Sequence, residues 1–261
     1  MRSSEQRKLI LSTKSLETRL NINDSVSQTN FHGWLNDHLA VRKGMDVLDV
    51  GCGNGAQASR FLRKVGPSGS VSALDLSSTS IESLQAATAG APNMQAIAID
   101  MAKTGLAISR TFRIKRYDLA QTTYSLYYSA RPLKVLDAMR EALKPGGRLA
   151  VCTPNNPHTL SLFCGRFAPL SPNVVACGRF GTDVLEPYFR KHFVAVDIHL
   201  LRNELRFPTA DQVLDMMRNA AYFDPANEPR LRRAVQGEIR RRGYFPAEKN
   251  SYLIIGRAPT E

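Results

Sequence analysis

The sequence predicts a doubly wound α/β protein with a mostly parallel sheet, and three observations carry that prediction. Short runs rich in valine, leucine and isoleucine alternate with stretches whose apolar residues recur at helical spacing. A glycine-rich turn joins the first run to the first helix after it, as the strand-to-helix connection of a βαβ unit requires. The 261 residues are 43% hydrophobic and 22% charged, enough for one large domain, and this excludes a wholly disordered, collagen-like or coiled-coil chain.

The elements follow in order. Residues 45–50 (MDVLDV) run from Lys43-Gly44 to Gly51 as a buried strand, and 56–65 follow as a helix with Ala58, Phe61, Leu62 and Val65 on one face. Strand 70–75 leads to helix 79–89, opened by the capping box Thr79-x-x-Glu82. Strands at 94–99 and 117–123, a helix at 131–143, a turn at 144–147 and a strand at 148–153 continue the alternation, with no clear helix over 102–116. Right-handed crossovers then place helices on both faces of the sheet. Beyond Thr153 proline and glycine are frequent up to 181. A helix at about 182–191, a strand at 193–201, helices near 209–219 and 227–242 and a last strand at 251–256 follow. The expected organisation is an N-terminal helical cover at 1–40 and a domain at 41–261 that includes a lid at about 205–245.

The chain carries 35 basic and 23 acidic residues, a net charge of +12, which favours phosphates, an acidic membrane surface or an anionic substrate. Six arginines against one glutamate at 230–242 are read as a solvated helix face, with an anionic acceptor or a polyanion as the other reading. Cys52, Cys152, Cys164 and Cys177 form no metal-binding spacing, so reduced thiols, no metal and a cytoplasmic location are expected. Leu9-Ile10-Leu11 is too short for a signal-peptide core, and no stretch is apolar enough to span a bilayer, so no membrane partner is expected.

The strongest local signal is Val47-Leu48-Asp49-Val50-Gly51-Cys52-Gly53-Asn54-Gly55, a strand running into a glycine loop that opens a helix. Glycines permit the sharp turn and let a ligand approach the backbone, and the helix N-terminus offers unpaired N–H groups to an anion. Asp75 closes the second strand 20 residues beyond Gly55, where a carboxylate can accept two hydrogen bonds from a ribose diol or instead cap the helix near Ser77. Asp100 closes the third strand, and with the backbone N–H of Met101 it can read an adenine edge or merely form a surface turn.

On these residues the chain resembles the class I S-adenosylmethionine-dependent methyltransferases, in particular their small-molecule branch. The resemblance rests on VLDVGCGNG at 47–55, ALDLS at 73–77, Asp100-Met101, YDLAQTTYSLYY at 117–128 and MREALKPGGRLAVCTP at 139–154. It implies a Rossmann-like, seven-stranded sheet with an antiparallel last strand, and S-adenosyl-L-methionine as cofactor with S-adenosyl-L-homocysteine as product. It further implies that Gly51, Gly53 and Gly55 flank the methionine moiety. Asp49 would steady the loop or the ammonium group, Asp75 and the adjoining Leu76 would meet the ribose side, and Asp100 with Met101 the adenine. The basic stretch 109–116 departs from the acidic or proline-rich link usual there.

The resemblance places Tyr124, Tyr127 and Tyr128 on the acceptor side, where tyrosine offers apolar area, a hydroxyl and a π face toward a cationic methyl donor. Core packing is the plainer reading. Tyr128 and His158 are the catalytic candidates, His158 as general base, and Phe31, Tyr124, Tyr127 and Tyr222 the acceptor-binding ones. His32 and His38 belong to the N-terminal cover, while His192 and His199 are read as structural. Gln121-Thr122-Thr123-Tyr124 is not the (D/N)PPY tetrapeptide of nucleic-acid amino-methyltransferases, so nucleic acid is not expected as partner. The function read here is transfer of a methyl group to O, N or C of a small-molecule acceptor. The alternative is a non-catalytic module of this fold with a basic partner-binding face. A nicotinamide dehydrogenase fits less well, because the glycine spacing is wrong and no Tyr-x-x-x-Lys pair exists.

Overall fold

In this computed structural model, which describes residues 12–170, 172–220 and 223–261, two helices precede the first strand. They are α1 (Thr13–Val26) and α2 (Phe31–Leu39). β1 (Asp46–Val50), α3 (Ala56–Val65), β2 (Ser70–Asp75), α4 (Ser78–Ala87) and β3 (Met94–Ala98) follow. After an irregular helical passage over 101–111 come β4 (Tyr117–Thr123), α5 (Pro132–Glu141) and β5 (Leu143–His158). The rest comprises α6 (Thr159–Gly165), α7 (Pro172–Cys177), α8 (Glu186–His192), β6 (Ala195–Leu201), β7 (Glu204–Phe207), α9 (Ala210–Arg218), α10 (Glu228–Arg242) and β8 (Phe245–Arg257).

The chain folds into two compact units, the larger built from 33–153, 181–199 and 252–261. It carries the sheet in the order β3-β2-β1-β4-β5-β8-β6, with β1 to β5 parallel. At the other side of β5, the Ala258 N–H donates to the Gly147 carbonyl (2.8 Å) and the Gly146 N–H to the Pro259 carbonyl (2.7 Å). The end of β8 thus lies beside the start of β5, so β8 runs antiparallel, as the family resemblance implied. Strand order reverses between β1 and β4, and in such sheets the crevice beyond the carboxyl ends at the reversal is where ligands bind.

α3 coincides with the helix read from the sequence because its apolar stripe is buried and Gly66, at φ +64°, ends it. α4 starts earlier than Thr79: the Ser77 hydroxyl accepts the Ser80 N–H and serves as the cap. β5 begins before the expected turn at 144–147, because Leu143 pairs with Tyr117 and a register shift, with Gly146 at φ +70°, absorbs the extra residues.

The smaller unit holds α1, 154–180 and 200–251. Its core joins Val26, Leu160, Leu205, Phe207, Val213, Leu214, Met217, Val235 and Phe245, with Ile22 and Phe223 partly buried against them. Each fully buried side chain of this size contributes roughly 1.5–3 kcal/mol. The apolar face of α1 packs with β7 and α9, while 33–40 belong to the sheet unit. Within the region expected as a lid, Phe207, Met216, Met217 and Phe245 are buried in this unit's own core. Among the described residues no helix is long and apolar enough to cross a membrane.

Candidate cofactor site

The site is built on the carboxyl ends of β1, β2, β3 and β4. β1 ends in Gly51, Gly53 and Gly55 at φ +73°, +55° and +78°, all in the left-handed region that glycine alone enters without strain. The N–H groups of Gly51 and Cys52 both donate to the Leu74 carbonyl (2.7 and 3.0 Å), fastening the loop to β2. A Cβ on Gly51 would lie 2.3 Å from Ser125 Oγ and 3.4 Å from Met101 Cε, and one on Gly55 would meet Leu84 at 2.5 Å. The loop is thus packed between β4's end, β3's end and α4. Gly55 offers no side-chain cap at the start of α3 and Asn54 Oδ1 accepts the Ala56 N–H at 3.3 Å, so the positive end of the helix dipole faces the glycine loop.

Asp49 is 1% exposed and sits level with Gln121 across β1 and β4. Gln121 Nε2 donates to Asp49 Oδ1, while Thr123 Oγ1 donates to Gln121 Oε1 at 2.7 Å, which fixes the amide's orientation. Oδ2 of Asp49 has no hydrogen-bond partner among the described residues. Burial, the Gln121 hydrogen bond working against it, and the nearby Asp75 charge leave the Asp49 pKa raised to about 7. A buried carboxylate oxygen with no donor is costly, and a cationic group beside it would remove that cost.

Asp75 reaches back from the end of β2. Its Oδ2 accepts from the Gly53 N–H (2.8 Å) and its Oδ1 from the Ser77 N–H (2.9 Å), so it ties the glycine loop to the turn before α4. Each carboxylate oxygen keeps a second lone pair for a ligand hydroxyl. Leu76, next in the chain, is a large apolar side chain 55% exposed. Asp100 Oδ1 accepts from the Ala102 N–H (2.8 Å) and caps the turn 101–103, whose first amide belongs to Met101.

Tyr124, after β4, has φ +54°, an uncommon conformation for a bulky residue and one that concentrates at functional positions. It is held by its N–H to the Cys152 carbonyl (2.8 Å), and Tyr127 and Tyr128 follow with ring centroids 4.5 Å apart. Ser125 was not singled out in the sequence, yet its hydroxyl bonds Thr122 Oγ1 (2.6 Å) and the Val50 carbonyl (3.2 Å), filling the space that Gly51 leaves. Gln121 was also missed as a site residue. Its signal was a carboxamide directly after the apolar pair Leu119-Ala120 in a central strand.

In the smaller unit, His158 precedes α6 as its N-cap, its Nδ1 accepting from the Ser161 N–H at 3.4 Å. Burial, then the Lys249 charge, pulls its pKa down to about 4, so the ring is neutral near pH 7. With Nδ1 accepting, the proton sits on Nε2, and acting as a base requires that cap to open. Phe31 also lies in this unit, against His32 with ring centroids 5.4 Å apart. Tyr222 lies outside the described residues. The arginine run of α10 is largely internally satisfied: Arg232 pairs with Asp211 (2.7 Å), Arg241 and Arg242 with Glu238 (2.6 and 3.1 Å), and Arg230 sits over the Phe167 ring. Among the described residues no three His, Cys, Asp or Glu side chains gather as a metal site.

A family model described as a methyltransferase domain matches residues 41–176, more than half of the chain. The chain belongs to this methyltransferase family, and its fold is that of the class I S-adenosylmethionine-dependent methyltransferases. Demethylmenaquinone methyltransferase of Staphylococcus aureus is 31% identical over 130 residues, covering 50% of this chain and 51% of that protein. The chain thus spans about half the length of the curated relatives it matches. A solved structure from Bacillus halodurans C-125 is similar with a TM-score of 0.61 at 17% identity, over 87% of this chain and 98% of that one. The YcgJ protein of Bacillus subtilis is similar at 0.58 and 15%, over 87% and 97%. At these identities the two structures share the fold.

Proposed function

We propose that this protein transfers a methyl group from S-adenosylmethionine to a small-molecule acceptor. The single observation that carries the reading is the convergence of the glycine loop, Asp49 with its unpartnered oxygen, Asp75 and Met101 at the strand-order reversal. When bound, the cofactor supplies a methyl group already activated on a sulfonium. Asp49 Oδ2 offers a charge for its ammonium, Asp75 its remaining lone pairs for the ribose diol, and Asp100 with Met101 the contact to adenine. Tyr124, Tyr127 and Tyr128 stand for the acceptor side. Catalysis then consists mainly of holding the acceptor in line and excluding water, effects worth up to roughly 7–11 kcal/mol in favourable systems.

Demethylmenaquinone is the first acceptor to test, because relatives at 31% identity are methyltransferases for it. Incubation with methyl-labelled S-adenosylmethionine and that quinone in reduced form, beside pooled cell metabolites, is expected to label one small-molecule product. Label that appears in none of them contradicts the reading and leaves the binding-module alternative. The role of His158 is decided by two variants. The cap geometry predicts that His158→Asn keeps turnover and stability, since asparagine caps well, while His158→Ala loses about 0.5–2 kcal/mol of stability. Equal loss of turnover in both variants, with cofactor affinity intact, would show instead that His158 is the general base.

A further inference from the structure

One concentration of the basic surplus is not used by the cofactor site. Arg148 is level with Leu119 of β4, itself level with Val47 at the head of β1, so it sits at the end of the parallel strands opposite the glycine loop. The hydrogen bonds Ala258 N–H to Gly147 carbonyl and Gly146 N–H to Pro259 carbonyl set the register of β8 on β5. One step on from Ala258 beside Gly147, Arg257 comes across from Arg148, and its carbonyl accepts from the Val194 N–H on the far side (3.1 Å), so the two arginines do not bond each other's backbone and their side chains share a face. Arg42, three residues beyond the Leu39 carbonyl that accepts from Arg148 Nη2 at 2.7 Å, is the third member, and after burial the charges of Arg257 and Arg42 hold the Arg148 pKa down.

Like charges directly opposed across two strands destabilise a sheet. Arg148 donates Nη2 to the Leu39 carbonyl (2.7 Å) at the end of α2, which orients its guanidinium without neutralising it. The carboxylate that acts on Arg148 is Asp118, whose Oδ2 is already engaged by Lys144 Nζ and the Asp46 N–H, both at 2.8 Å. Among the described residues none of the three arginines is in a salt bridge, whereas the neighbouring Lys144 has two. Arg42 and Arg257 are exposed.

We propose that Arg42, Arg148 and Arg257 form a binding site for a phosphate group, carried by a lipid headgroup or a free phosphate compound. Three planar guanidiniums offer more charge and more paired donors than a lone carboxylate ligand uses, and they match a dianion with three or more acceptor oxygens. The site lies apart from the residues assigned to the cofactor, so it stands or falls separately from the methyl-transfer reading.

Calorimetric titration of the full chain with inorganic pyrophosphate tests it. Saturable binding is expected, weakened about tenfold or more by Arg257→Gln and likewise by Arg42→Gln, and unaltered by the control Arg240→Gln on α10. Without pyrophosphate, Arg257→Gln is expected to melt no lower than the parent, because it removes an opposed charge. Sedimentation with phosphatidylcholine vesicles containing or lacking phosphatidylglycerol then separates the sources. Capture by the anionic vesicles alone, lost in Arg257→Gln, assigns a lipid headgroup, and pyrophosphate binding without capture assigns a free compound. No binding in either arm, or equal weakening by Arg240→Gln, overturns the proposal.

Discussion

Replacing Gly51 by Ala is expected to destabilise the sheet unit by roughly 1–3 kcal/mol and to cost at least tenfold in cofactor affinity. Two causes act together. The residue is at φ +73°, where any Cβ is strained, and that Cβ would fall 2.3 Å from Ser125 Oγ and 2.6 Å from Ser125 Cβ. The loop must then move off β4, taking with it the Gly53 amide that Asp75 holds. The double variant Gly51→Ala/Ser125→Gly relieves the contact but not the backbone strain, so partial rescue is expected. Thermal melting and cofactor titration read both effects. A Gly51→Ala protein that melts and binds like the parent would show that the loop is not packed in this way.

The second large effect is on pH dependence, through Asp49. Its folded pKa, about 7, is raised above the ordinary 3.8, so the fold favours the protonated form. That stabilising preference is fully present below about pH 4 and is lost as pH rises through 7. Over this window the parent is expected to lose stability relative to Asp49→Asn by an amount up to about 4 kcal/mol, an upper bound at 1.36 kcal/mol per pKa unit. A cofactor ammonium beside Oδ2 favours the ionised form, so binding near pH 6 is expected to release a proton in the parent and none in Asp49→Asn. The measurements are melting curves across pH and binding enthalpies in buffers of different ionisation heat. Parallel stability curves for the two proteins would contradict the assignment.

Which parts of this were legible in the sequence follows from how local their causes are. The β1 loop and α3 were legible to the residue, because the apolar run, the glycines and the amphipathic stripe act within a few positions. Asp75 was legible as a strand-end carboxylate: it engages the Ser77 amide, in line with its reading as a cap, and it also anchors the Gly53 loop, which the sequence did not announce. The start of α4 was misplaced because Ser77 and Thr79 are both good caps, and the choice is made by Asp75 across the turn. The small unit was not legible as a unit. Its core joins α1 to β7, α9 and α10, segments nearly 200 residues apart, and β7 has only four residues to announce itself. Tyr124's left-handed backbone carried no signal, since nothing in tyrosine's chemistry asks for it, and its N–H is held by the Cys152 carbonyl of β5, far away in sequence.

Titration calorimetry on the parent and Asp75→Ala decides whether the carboxyl ends of β1 to β4 hold S-adenosylmethionine. Saturable binding of S-adenosylmethionine and S-adenosylhomocysteine by the parent is expected. In Asp75→Ala a weakening of about ten- to a hundredfold is expected, from lost ribose hydrogen bonds and a loosened Gly53. Absence of binding by the parent, or equal affinity in Asp75→Ala, would contradict it.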